Sequence, residues 1–191
     1  MFDALQMRRI IRRMAGQLIE RQDEIESMML VGIRTRGLPL ADRLQSEIAA
    51  MEHVELPLGA LDITFYRDDL SKIGPQPVVG ETSLPVPIDG RVVVLCDDVL
   101  FTGRTVRAAL NELADYGRPK AVRLAVLVDR GRRELPIQAD VVGAKVRTTS
   151  RELIEVAFEG IDPGDVVNLL EVEASEGAEE GAVTREGEDN A

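Results

Sequence analysis

The 191-residue sequence holds one cysteine, one histidine and no tryptophan, and these scarcities remove whole classes of chemistry. A lone Cys96 cannot close an intrachain disulfide, and its place inside an apolar run makes it a small core residue. His53 follows an apparent helix and is read as a surface residue rather than a catalytic one. No apolar run is long enough to span a bilayer, and no basic-then-apolar secretory segment opens the chain, so a cytoplasmic location is expected. The common nucleotide-binding strings GxxxxGK[ST] and GxGxxG are both missing. An excess of positive charge is missing too: the formal net charge is -11, whereas nucleic-acid binders are ordinarily basic. Much of that charge is local, because residues 171–191 carry eight carboxylates against Arg185. This Glu-, Gly- and Ala-rich end has little to bury and is expected to be a disordered acidic tail behind one domain of residues 1–170.

What is present is organised around residues 91–117, RVVVLCDDVLFTGRTVRAALNELADYG. Val92 to Cys96 is an apolar run without alternation, as in a strand of a parallel sheet buried on both faces. A polar loop opening with Asp97 and Asp98 is expected next. Val106, Ala109, Leu110 and Leu113 then fall at i, i+3, i+4 and i+7, the stripe of an amphipathic helix that Gly117 and Pro119 end. The segment reads as strand, loop, helix, with the loop at the carboxyl end of the strand, where open α/β sheets bind ligands. Thr102 to Thr105 would offer backbone N–H groups and two hydroxyls at a helix start, which suits a phosphate. Ionised Asp97 and Asp98 accept only, so they suit sugar hydroxyls or a hydrated metal. A ribose 5-phosphate satisfies both halves.

The rest of the chain repeats that arrangement. Leu5 to Glu26 predicts a helix burying Met7, Ile11, Met14, Leu18 and Ile25. Met28 to Ile33 predicts a strand ending in Arg34, Thr35, Arg36 and Gly37, with Pro39 at the first position of a helix that repeats through Leu40, Leu44 and Ile48. Gly37 permits close backbone approach there, and Arg36 can grip a diphosphate with parallel donors. Leu61 to Tyr66 alternates like a half-buried strand, and the Pro-rich stretch from Arg67 to Pro87 reads as a mobile lid loop. Ala121 to Val128 predicts another buried strand, stopped by Asp129, Arg130 and Gly131; Asp140 to Val142 and Ile154 to Phe158 predict two later ones. Three strands thus end in the polar loops RTRG, DDVLFTGRT and DRGRR, which points to one composite site on an α/β fold whose central, mostly parallel sheet is flanked by helices.

DDVLFTGRT, preceded by VVVLC, resembles the phosphoribosyl-pyrophosphate (PRPP) motif of type I phosphoribosyltransferases. Together with LVGIRTRG, DITFYRDDLS and LAVLVDRGRRELPIQAD, in order, it resembles the PyrR family of pyrimidine-operon attenuation regulators and uracil phosphoribosyltransferases. The resemblance implies a type I phosphoribosyltransferase fold that converts uracil and PRPP to UMP and pyrophosphate with Mg²⁺. It implies PRPP contacts from Thr35, Arg36, Gly37, Arg67 and the run Asp97, Asp98, Val99, Leu100, Phe101, Thr102, Gly103, Arg104 and Thr105. Asp97, Asp98 and Arg36 would carry catalysis, no side chain would serve as a strong direct metal ligand, and Arg130 with the backbone around Val142 would hold uracil. The resemblance further implies binding of a pyrimidine-operon mRNA leader, sensed through UMP, by a homodimer or higher homo-oligomer. Arg9, Arg12, Arg13, Arg132 and Arg133 are the expected RNA contacts. Two departures bear on that activity: Gln138 replaces a common Arg and Arg132 a common His. The added acidic tail would repel RNA phosphates unless it points away. A salvage enzyme without RNA binding, and a phosphoribosyltransferase for another base such as hypoxanthine, stand as alternatives.

Overall fold

The structure, a computed structural model, describes residues 1–22, 24–64 and 81–171. Arg67, most of the expected lid and residues 172–191 of the expected tail lie outside the described residues.

Strands β1 (Met28–Ile33), β2 (Leu58–Leu61), β3 (Val92–Leu100), β4 (Ala121–Asp129) and β5 (Val141–Lys145) form one sheet in the order β2-β1-β3-β4-β5, every pair parallel. Their apolar runs do not alternate because both faces are covered. Helices α1 (Ala4–Glu20) and α2 (Gly37–Glu52) pack Met7, Met14, Leu44 and Ile48 with Leu30, Val94 and Leu127 on one side. Helix α3 (Arg104–Asp115) packs Val106, Ala109 and Leu113 with Val31, Leu95 and Val126 on the other. This strand order reverses direction between β1 and β3. The chains leaving those two carboxyl ends diverge, which opens a crevice where ligands bind in such sheets. RTRG follows β1 and DDVLFTGRT straddles the end of β3.

Several elements differ from the sequence expectation. Helix α1 starts with a capping box between Asp3 and Gln6 but stops at Glu20, because its apolar stripe lapses at Arg21 and Gln22; Ile25 falls in a short 3-10 turn. Helix α2 begins at Gly37, so Pro39 lies later in a first turn whose N–H groups have no intrahelical partner. His53 ends that helix as an exposed left-handed residue with φ 58°. Of the alternating strand expected over Leu61 to Tyr66, Phe65 and Tyr66 lie outside the described residues; in the described part β2 spans Leu58–Leu61, with its last three residues buried, and Asp62 then accepts from Thr64 N at 2.7 Å. Leu110, expected on the buried stripe of α3, is 38% exposed, while Glu112 is buried and accepts from the Thr82 hydroxyl at 2.8 Å.

After the sheet, β6 (Glu152–Ala157) and β7 (Val166–Glu171) form a separate antiparallel hairpin, whose second strand the sequence left unassigned. It inserts Ile154, Val156, Phe158 and Val167 into the core below α1 and α2. Its turn is bolted to α2: Arg43 donates to both oxygens of Asp165 at 2.6 and 2.7 Å and lies 5.0 Å from the Phe158 ring centre. Among the described residues, no helix is long and apolar enough to cross a membrane.

Candidate active site

Strand β3 does not stop before the carboxylates, as the sequence suggests, but continues through Asp97 and Asp98 to Leu100, because β4 pairs with it as far as Asp129. Ladder hydrogen bonds therefore fix the acidic pair more rigidly than a loop would. Asp97 is only 6% exposed, and its Oδ1 accepts the Asp98 N–H at 3.1 Å. Burial raises both carboxyl pKa values above the ordinary range, and for Asp97 the neighbouring Asp98 charge adds to the effect. Arg36 opposes the rise at Asp98, which puts that cation in range of the pair.

The next turn holds the loop expected to take a phosphate. Gly103, with φ 95°, is the N-cap of α3 and makes no side-chain cap; the Thr102 hydroxyl accepts Arg104 N at 3.3 Å, and Thr105 is exposed. The helix start thus directs backbone donors toward the crevice. DRGRRELPI wraps against this loop. The Thr102 carbonyl accepts Glu134 N and Leu135 N at 3.0 and 3.1 Å, and Arg104 pairs with Glu134 at 2.8 Å. Arg133 donates to the carbonyls of Phe101, Ile137 and Gly131 and pairs with Asp129 at 2.7 Å. Arg133, expected to contact RNA, is thus tied to the carbonyls of the loop before α3. Val99 and Leu100 support that loop from within the strand, and Phe101 is partly exposed beside it.

The loop after β1 carries a cis Arg34–Thr35 peptide; Thr35 is exposed and Arg36 caps α2. Gly37 serves a close approach to the neighbouring strand. A Cβ on Gly37 would lie 2.2 Å from the Cys96 carbonyl oxygen and 3.3 Å from the Asp97 Cα. The loop after β1 is therefore seated on the residue preceding the acidic pair. Arg36 donates through Nη2 and Nε to the carboxylate of Asp162, at 3.0 and 3.4 Å.

Arg130 is 6% exposed, with its guanidinium 4.1 Å from the Phe101 ring centre. It also donates to the Thr148 hydroxyl at 2.9 Å and the Glu152 carbonyl at 2.6 Å. Burial, and next the charge of Arg132, lowers its pKa. Val142 stands opposite Val126 and so at the level of Asp97, two strands away across β4, roughly 10 Å at ordinary strand spacing. Its side chain packs with the core on the α3 side. The segment after β5, with Thr148, is what meets Arg130.

The expected RNA arginines divide. Arg9, Arg12 and Arg13 are exposed on α1, where Arg13 donates to the Gly143 carbonyl. Arg132 is exposed at φ 59° on the arm whose Ile137 packs in the α3-side core. The first three sit on α1 and Arg132 in the loop that follows β4.

Sequence reasoning missed Asp162, Thr148 and the Phe101–Arg130 stack. The Arg36–Asp162 contact joins residues 126 apart in the chain, and no local pattern marks such a pair. Among the described residues, no three His, Cys, Asp or Glu side chains cluster as a metal site.

Comparison with known proteins agrees with this geometry. The phosphoribosyl transferase domain family matches residues 1–159. The bifunctional protein PyrR of Deinococcus radiodurans is 50% identical over 168 residues, 88% of this chain and 92% of its own length. That of Thermus thermophilus is 51% identical over 175 residues, 92% of this chain and 97% of its own. Among solved structures, the hypoxanthine phosphoribosyltransferase of Trypanosoma cruzi aligns with TM-score 0.67 at 15% identity, covering 91% of this chain and 96% of its own. A hypoxanthine-guanine phosphoribosyltransferase from Bacillus anthracis aligns with TM-score 0.61 at 20% identity, covering 76% and 82%. Those two likenesses establish the type I phosphoribosyltransferase fold. Fold, motif order and half-identity over most of the chain agree, and the chain belongs to the PyrR family of phosphoribosyltransferases.

Proposed function

We propose that the chain transfers the phosphoribosyl group of PRPP to N1 of uracil, giving UMP and pyrophosphate, and that it also binds a pyrimidine-gene mRNA leader as a UMP-responsive regulator in the cytoplasm. The observation that carries the enzymatic reading is the seating of Gly37 on Cys96, which joins RTRG to the strand bearing Asp97 and Asp98 and the phosphate loop.

In this reading the α3 start, with Thr102, Gly103, Arg104 and Thr105, receives the 5-phosphate. Asp97 and Asp98 accept the ribose hydroxyls, and Thr35, Arg36 and Gly37 receive the pyrophosphate. Arg67 belongs to the same proposal. The C1–O bond to pyrophosphate breaks, the C1–N1 bond forms, and the N1 proton passes to solvent. Positive charge develops on the ribose, where the buried acidic pair favours it electrostatically. No covalent nucleophile is required, so catalysis rests on position and field. The hard oxygens of Asp97 and Asp98, whose joint ionisation is opposed in the ligand-free protein, fit a hydrated Mg²⁺ without enclosing it. Such an ion, when bound with PRPP, supplies neutralising charge for the diphosphate. Arg130, fixed against Phe101, and the segment after β5 are the best supported wall for the base.

Replacing both Asp97 and Asp98 by Asn should abolish conversion of labelled uracil while the domain stays folded. Full turnover by that folded variant contradicts the assignment. For RNA, the exposed arginines sit on separate elements, α1 and the loop after β4, which favours a surface completed by a second copy of the chain. Leader-RNA binding that strengthens with UMP and weakens with salt supports regulation; binding no tighter than to unrelated RNA leaves the salvage enzyme.

A further inference from the structure

Asp162 lies in the turn of the β6–β7 hairpin, outside every motif discussed above. Its backbone and side chain are both committed. Its N–H donates to the Phe158 carbonyl at 2.8 Å, and Oδ2 accepts the Phe158 N–H at 3.0 Å. The carboxylate is therefore held by the turn before any partner is considered. It receives one edge of Arg36, Nη2 at 3.0 Å and Nε at 3.4 Å. The bond to Asp162 is the main cause of the raised Arg36 pKa, while backbone donation from Phe158, then the Arg36 bond, lowers that of Asp162. With the Nε edge occupied, Nη1 keeps two donors that no described residue accepts. The whole hairpin turn is anchored on α2 by Arg43 and Asp165, so the socket is fixed relative to the loop it serves.

We propose that Asp162 is a positioning residue for the leaving pyrophosphate: it clamps the Nε edge of Arg36 so that the Nη1 end of the fork faces the diphosphate. This rests on the proposed pyrophosphate role of Arg36. An arginine free to rotate would have to be ordered when PRPP binds, and that entropic cost is removed in advance by a turn-held carboxylate. The effect belongs to diphosphate binding and should not reach the base.

The test measures PRPP KM, uracil KM and pyrophosphate inhibition for the intact chain, Asp162→Asn, Arg36→Gln and the double variant. Asp162→Asn should raise the PRPP KM and weaken pyrophosphate inhibition about ten-fold, the equivalent of one charge-assisted hydrogen bond, with uracil KM unchanged. In the Arg36→Gln background, Asp162→Asn should add nothing. An equal loss in both backgrounds, or an unchanged PRPP KM in Asp162→Asn, overturns the proposal. If Arg36→Gln itself leaves PRPP KM and pyrophosphate inhibition unchanged, the pyrophosphate role of Arg36 is wrong and the inference falls with it. A second readout needs no Asp162 variant: the Arg36 Nε–H signal, assigned by its loss in Arg36→Lys, should stay protected from exchange when inorganic pyrophosphate binds. Loss of protection would mean that Asp162 merely parks Arg36, and overturns the proposal.

Discussion

Gly37→Ala gives a sharp test of how the two phosphate loops are joined. The added Cβ would sit 2.2 Å from the Cys96 carbonyl oxygen. Reaching an ordinary van der Waals separation requires a retreat of about 1 Å or more. Cys96 lies in β3, hydrogen-bonded between β1 and β4, so the loop after β1 must be the part that moves. Forced overpacking of this kind costs about 1–3 kcal/mol of stability. A displacement of about 1 Å in a group that grips substrate costs on the order of 100-fold in rate. The expected signature is thus a loss of kcat/KM for PRPP on the order of 100-fold in a protein that still unfolds cooperatively in urea. Gly16→Ala is the matched control: nothing lies within 4 Å of its added carbon, and it is in the interior of α1. It should stabilise the protein by about 0.5–1 kcal/mol and leave kinetics unchanged. Undiminished kcat/KM in Gly37→Ala would refute the seating argument.

Three other substitutions address different parts of the account. Asp97→Asn should stabilise the ligand-free protein at neutral pH. The folded pKa of Asp97 is raised, so between the ordinary carboxylate value and the raised one the folded state binds more protons than the unfolded state and stability falls as pH rises; thermal melting across pH should show a flatter profile in the variant, and an unchanged slope contradicts the assignment. Arg133→Ala should cost at least about 1.5 kcal/mol in urea unfolding and depress turnover, because it frees carbonyls of the phosphate loop; a variant that lost only RNA affinity would contradict the internal role. Arg12→Ala should weaken leader-RNA binding evenly across sequences and lower the slope of log affinity against log salt by about 1, with uracil turnover untouched; an unchanged slope removes Arg12 from the RNA surface.

The parts legible in the sequence were those in which one short stretch carries its own explanation. Val92 to Thr105 announces strand and phosphate loop because the apolar run, the acidic pair and the helix start are contiguous. Even there the boundary was misplaced, since pairing with β4 carries β3 through Asp97 and Asp98, and apolar content does not reveal how far a ladder extends. Period misled at Asp62 to Thr64, which alternate but follow the end of a short strand. Charge alone left the internal bonds of Arg133 unseen, because an arginine on a polar arm looks the same whether it faces phosphates or loop carbonyls. Contacts across long chain separations, Arg36 with Asp162 and Gly37 with Cys96, leave no periodic trace and needed the fold to appear.

The central claim is best tested by turnover of a panel of labelled bases, uracil, hypoxanthine and guanine, with PRPP and Mg²⁺, following nucleotide and pyrophosphate together. The account predicts UMP and pyrophosphate in equal amounts from uracil, with the purines left unconverted. Conversion of hypoxanthine in preference to uracil, or no PRPP-dependent product from any base, would contradict it.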